Sequence, residues 1–286
     1  LSGVLTIQPW SAAFAVAVTF AVVVAVVVQH RSSARRWPRW GPPVFLLGWL
    51  GAVGTVVSPL DTWSDEGSLT AHVAQHVLLG DLVAPLLLIG LPPAIAALGR
   101  SGYDRITRGS GRTERGFAFA LSPVGAIALW AGVTYVWVVP PVHRLAIPDG
   151  PVHLLDHVSF LVLGLLVWLA AFDFRRGKPV HDWEGLKATL TSSDMPWWAR
   201  HVYAMVSRVA MLPAVTILWL AATPAYYLTQ DIPPGASSQR EDQVNASSLM
   251  LGFEILLASL AVVLALVWVS VSEGRARDAA RPHDSG

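Results

Sequence analysis

The chain contains no cysteine among its 286 residues. That absence excludes disulfides, thiolate metal sites, Cys-X-X-Cys redox pairs and a cysteine nucleophile. Any soft-metal chemistry therefore falls to histidine and methionine. Charge is also scarce, with 14% of residues charged and a formal net charge of +1. Neutralising nucleic-acid phosphates needs a concentrated basic surface, so nucleic acid is not an expected partner. The two lysines, Lys178 and Lys187, share one connecting stretch, and no apolar segment offers the Schiff-base amine of a retinal protein. Neither G-x-S-x-G nor a Walker A motif occurs, and no enzymatic activity is expected.

Apolar residues are what the chain has in quantity: 53% are hydrophobic and the mean hydropathy is +0.51. Such a chain takes the lipid bilayer as its solvent. A membrane-crossing helix needs roughly 20 mostly apolar residues, and seven stretches qualify, near 10–29, 43–60, 70–90, 117–139, 152–172, 202–222 and 247–271. Their apolar runs are continuous rather than alternating, which argues against a β-barrel. The expected fold is an all-α polytopic bundle of about seven transmembrane helices. One domain covers 1–272 and a polar cytoplasmic tail covers 273–286. Leu1 rather than Met opens the sequence, so further residues are allowed before it. In the third stretch, Pro85 predicts a kink, and Gly90, Pro92 and Pro93 predict a short interfacial segment up to Gly99.

Cytoplasmic loops accumulate Lys and Arg. Arg31, Arg35, Arg36 and Arg39 follow the first stretch; Arg100, Arg105, Arg108, Arg112 and Arg115 follow the third; Arg175, Arg176, Lys178, Lys187 and Arg200 follow the fifth. The tail adds Arg275, Arg277 and Arg281, whereas the alternate loops hold only Arg144 and Arg240 among several acids, including Asp61 and Asp242. This pattern predicts an outer N-terminus and an inner C-terminus. The long inner loop 173–200 has room for a surface helix anchored by Trp183, Trp197 and Trp198.

This topology sorts the nine histidines. His30, His181, His201 and His283 fall singly on the inner side and are expected to be solvated. His72 and His76 open the third stretch, His153 and His157 open the fifth, and His143 lies just before the latter. A spacing of i, i+4 puts both imidazoles of a pair on one helix face, and the pairs lie at similar depth. Their convergence would suit copper, zinc or haem iron. Met250, near the outer end of the last stretch, is a candidate thioether ligand, and Asp156 a candidate acceptor for a ring N–H. Three charges, Asp81, Arg208 and Glu254, fall inside apolar stretches, where such residues pair or line a polar path.

At these residues the chain resembles the seven-helix cytochrome c oxidase assembly factors of the CtaG type. The resemblance rests on "HVAQHVLLGDLVAPLLLIGLPP", with His72, Gln75, His76, Ala84, Pro85, Gly90 and Pro92, and on "VHLLDHVSFLVLGLLVW", with His153, His157, Phe160 and Trp168. "DQVNASSLM", with Asp242, Gln243 and Met250, resembles the segment before that family's last span. The chain departs from the pattern at Val77, Asp81 and Asp156. The resemblance implies maturation of a haem–copper oxidase in a bacterial plasma membrane, with oxidase subunits as partners and copper as cargo. Two readings of the residues stand beside it: a cytochrome b-like electron carrier using the histidines as haem ligands, and a proton or ion transporter using the buried charges.

Overall fold

Prolines and capping side chains decide where the helices start. A computed structural model of the chain describes residues 8–32, 36–108, 111–148, 150–172, 197–220 and 226–279, and every regular element among them is helical. In order these are α1 (Pro9–Arg31), α2 (Gly41–Val57), α3 (Pro59–Asp65), α4 (Leu69–Val77), a π-helical turn (Leu78–Val83), α5 (Ala84–Ile89) and α6 (Pro93–Arg108). There follow α7 (Arg112–Ala120), α8 (Pro123–Val138), α9 (Pro140–Ala146), α10 (Pro151–Phe172), α11 (Trp197–Val209), α12 (Leu212–Leu220) and α13 (Gln239–Ala279). Proline in a first turn sacrifices only an N–H that has no helical partner anyway.

Six stretches are long and apolar enough to cross a membrane: Pro9–Arg31, Gly41–Asp65, Leu69–Ile89, Pro151–Ala171, Val202–Leu220 and Gln239–Val263. The pair α7–α8 makes a seventh if its 79° bend is counted within one crossing. The chain is thus a multi-pass helical membrane protein, in agreement with the expected bundle.

Its departures from seven unbroken rods all occur at prolines. The fourth stretch breaks before Pro123, which has no N–H for the Phe119 carbonyl. Ser122 Oγ donates to that carbonyl at 2.7 Å and accepts the Gly125 N–H at 3.1 Å, capping α8. A Cβ on Gly125 would lie 1.8 Å from the Phe119 oxygen, so only glycine fits this corner. The sixth stretch breaks at Ala210–Met211 because Pro213 cannot donate to Val209, and the Tyr135 hydroxyl of α8 donates to the Ala210 carbonyl left at the break. In the third stretch the expected kink is a π-helical turn just ahead of Pro85, and the expected segment to Gly99 continues as α6 to Arg108. The last helix runs on through residues 273–279. The loop helix foreseen around Trp183 lies outside the described residues.

Contacts at the helix ends give the relative directions. Gln29 Oε1, near the end of α1, accepts the Ala94 N–H at 2.8 Å, and Trp37 Nε1 donates to the Gly90 carbonyl at 3.0 Å. The ends of the first and third spans therefore lie together, at the arginine-rich end. At the opposite end, Asp242 of α13 caps α4: its carboxylate accepts the Leu69 N–H at 2.7 Å, the Thr70 N–H and Ser68 Oγ at 3.2 Å each, and the Tyr227 hydroxyl at 3.0 Å. An anion at a helix N-terminus is favoured by both the free N–H groups and the helix dipole. The same hydrogen bond to Asp242 and burial push the Tyr227 hydroxyl pKa upward, burial being the larger cause. Replacing Asp242 with Ala is expected to lower stability by about 1–3 kcal/mol, measured as an earlier thermal transition in detergent. An unchanged transition would show that the cap contributes nothing.

One backbone crossing registers the two histidine-bearing spans. A Cβ on Gly164 of α10 would sit 2.7 Å from Gly80 Cα and from the Gly80 carbonyl oxygen. Small residues let membrane helices approach this closely. About one to two turns above that crossing, α4 and α10 face each other with His72, His76, Asp156 and His157.

Candidate metal centre

The i, i+4 pairs converge. His72 and His76 have ring centroids 4.4 Å apart, His153 and His157 4.3 Å, and between the pairs His72–His153, His72–His157 and His76–His157 stand at 5.7, 5.8 and 5.5 Å. His143, carried by the short helix α9, joins them 4.9 Å from His72. All five are buried. Ligand atoms of His72, His76 and His157 lie within 4.8 Å of one another. In α9, outside the spans, burial and then the neighbouring His72 hold the His143 pKa well below the ordinary histidine value, which keeps its ring neutral at pH 7.

Asp156 sits at the centre of the cluster, and sequence alone gave it only a peripheral part. Its Oδ2 lies 3.0 Å from His72 Nε2 and 2.7 Å from His76 Nε2. A carboxylate only accepts, so both Nε2 atoms carry protons in this arrangement. His72 Nδ1 is then the acceptor for the Ser64 hydroxyl at 2.9 Å. His153 is held differently: its Nδ1–H donates to the Ala146 carbonyl at 2.7 Å, which leaves the Nε2 lone pair free. His153 Nε2, His157 Nε2 and Asp156 Oδ1 are buried with no hydrogen-bond partner. Buried polar atoms left without partners are costly, and the His153 lone pair and the Asp156 oxygen are suited to a cation. Phe160 stacks on His76 at 3.9 Å and an interplanar angle of 11°, fixing that ring.

Ser64 was not foreseen, because it belongs to a separate short helix eight residues before His72 and follows no helical period with it. Asp61, which the sequence presents as an outer-loop charge, is buried and accepts from Ser11 Oγ at 3.1 Å and from Gln75 Nε2 at 3.0 Å. Met250 lines a cavity of about 40 Å³ together with His76, His143, Asp81, Trp130, Tyr226 and Glu254. His30 is exposed as expected. The side chains of His181, His201 and His283 lie outside the described residues.

Below the cluster the three buried charges meet. Arg208 Nη1 donates to Asp81 Oδ1 and lies 3.5 Å from Glu254 Oε2. The guanidinium also sits 5.7 Å from the Trp130 ring and 5.5 Å from the Trp168 ring, within cation–π range. Asp81 reaches Arg208 from the π-helical turn. That turn bonds residue i to i−5, as Ala84 does to Leu79. The next donor would be Pro85, which has no N–H, so the Gly80 carbonyl is left over. Trp168 Nε1 takes it at 3.0 Å.

A family model described as cytochrome c oxidase caa3 assembly factor matches residues 18–271. The chain belongs to that family. The match runs from α1 into α13 and includes all five clustered histidines and all three buried charges. No curated protein and no solved structure matches the chain. Membership of the caa3 assembly factors associates this protein with cytochrome c oxidase and with its assembly.

Proposed function

We propose that this assembly factor handles copper for its oxidase at the histidine cluster, on the outer face of a bacterial plasma membrane. The observation that carries the reading is the gathering of His72, His76 and His157 within mutual ligand reach, beside the unpartnered Nε2 atoms of His153 and His157. Neutral imidazoles without thiolates bind Cu(I) or Cu(II) with adequate strength and release it more readily than a cysteine site. His153 offers its Nε2 lone pair as it stands, and a neutral His157 offers one of its two ring nitrogens. His72 and His76 ligate through Nε2 only when Asp156 gives up their N–H groups and each proton moves to Nδ1; for His72 that proton then meets Ser64 Oγ. Asp156 thereby serves as a latch, holding two rings when the cation is absent and offsetting its charge when it is present.

The haem alternative fits less well. Ring centroids 4.3–5.8 Å apart leave the imidazoles against one another, and the adjoining cavity is about 40 Å³. Cofactor-sized pockets run to roughly 300 Å³ or more. The test is elemental analysis of purified protein after anaerobic exposure to Cu(I), beside the His76→Ala/His157→Ala double variant. The wild type is expected to retain copper and the variant to lose at least about tenfold in affinity, with oxidase activity falling in cells while expression is maintained. Equal copper in both proteins would sink the site, and iron with a Soret band would return the haem reading.

A further inference from the structure

The cavity between the cluster and the buried charges has polar groups in its lining. It is lined by His76 and His143 of the cluster, by Asp81 and Glu254 of the charged set, and by Thr134, Trp130 and Tyr226. Glu254 Oε2, the Tyr226 hydroxyl and Trp130 Nε1 are buried and have no hydrogen-bond partner. About 40 Å³ accommodates about two or three waters. The space borders His76 and His143 of the cluster as well as Asp81 and Glu254, within an otherwise largely apolar lining.

The charges of the buried set do not balance if both acids ionise. Arg208 supplies one positive charge against two carboxyl groups, in surroundings of Trp130, Trp168, Val73 and Leu218. Uncompensated charge in such a place is removed by protonation. Asp81 has the direct hydrogen bond from Arg208, whereas Glu254 Oε2 stands off at 3.5 Å without one. Other ionisable groups about this set are Tyr203 of α11, which interacts with Arg208 and whose buried hydroxyl has no hydrogen-bond partner, and His76 and His143, which line the same cavity. None supplies a second fixed positive charge, so the proton belongs on Glu254. A cation held at the cluster changes that balance.

We infer that Glu254 is a proton-exchange site linked to the histidine cluster through this cavity, carrying a proton when the cluster holds no cation and releasing it when one is held. The step is a plain dissociation: the Glu254 O–H bond breaks, the carboxylate keeps the electron pair, water takes the proton, and nothing is oxidised or reduced. Metal uptake and proton release are then exchanged at one membrane face, and acidity there favours metal release. This inference rests on the copper-handling reading, and the experiment separates the two.

Protons released on anaerobic Cu(I) addition are counted in weakly buffered detergent solution, for wild type, Glu254→Gln and Asp81→Asn, with bound copper measured in the same samples. Wild type is expected to release about one proton more per Cu(I) than Glu254→Gln, which still retains copper. Asp81→Asn is expected to lose the same proton, because Glu254 becomes the sole counter-ion of Arg208 and ionises beforehand. The infrared spectrum of metal-free wild type should show a protonated-carboxyl stretch that disappears on Cu(I) addition. Absence of that band overturns the inference even if a variant fails to fold, as does equal proton release from wild type and Glu254→Gln at equal copper. A wild type that retains no Cu(I) overturns instead the copper reading beneath it.

Discussion

Replacing Arg208 with Leu is expected to destabilise the protein by about 3–5 kcal/mol, the scale of loss when one partner of a buried ion pair is removed. Arg208 and Asp81 are each buried, and Glu254 lies within the same enclosure. Without the guanidinium, Asp81 loses the only hydrogen-bond donor to its Oδ1 among the described residues, and two indole faces lose their cation. Leu fills less of the space and pairs with nothing. The triple variant Arg208→Leu/Asp81→Asn/Glu254→Gln is expected to recover most of the stability, since an enclosure without charge needs no counter-ion. Thermal unfolding in detergent, followed by tryptophan fluorescence, reads both proteins. A triple variant no more stable than the single one would show that Arg208 acts through packing rather than through charge.

The second large effect is expected at Gly164. A Val there carries its Cβ to within 2.7 Å of Gly80 backbone atoms, and backbone cannot step aside as a side chain can. The two helices must separate, at about 1–3 kcal/mol or more for the strain. Separation also draws Asp156 away from His72 and His76, so copper retention should fall together with stability. Gly252 of α13 provides the control: a Cβ there meets nothing within 4 Å, and Gly252→Ala is expected to be neutral or to stabilise by up to about 1 kcal/mol through helix propensity. Equal behaviour of the two variants in thermal unfolding and copper analysis would show that the Gly80–Gly164 crossing does not set the site.

The sequence disclosed the spans because bilayer crossing imposes a length and an apolar content on contiguous residues, both visible without tertiary information. The histidine pairs were legible for a related reason: i, i+4 spacing fixes a helix face, and two faces at equal depth have few ways to avoid meeting. Asp156 was visible but not placeable, since one residue from His157 means about a quarter turn of rotation, and its direction depends on how α10 is turned against α4. Ser64 and Asp61 belong to α3, a short helix whose fold-back over the histidines is set by tertiary contacts and carries no periodic signal. The bend at Pro123 and the break before Pro213 were not foreseen, since the stretches 117–139 and 202–222 read as continuous apolar runs. How sharply each deviates depends on which nearby side chain takes up the freed carbonyl, Ser122 in one case and Tyr135 in the other.

The π-helical turn has a consequence for the phase of the third span. An α-helix advances about 100° per residue, so one residue accommodated as a bulge rotates everything above it by about that angle relative to everything below. The upper half, with His72 and His76, is aimed at Asp156 of α10, while the lower half, from Pro85, packs against α2 at Phe45 and Gly48. A single rod of identical length and hydropathy could satisfy one of these neighbours but not both. Two short helices offset in azimuth share the span, and the seam between them carries the only acid that hydrogen-bonds Arg208 among the described residues.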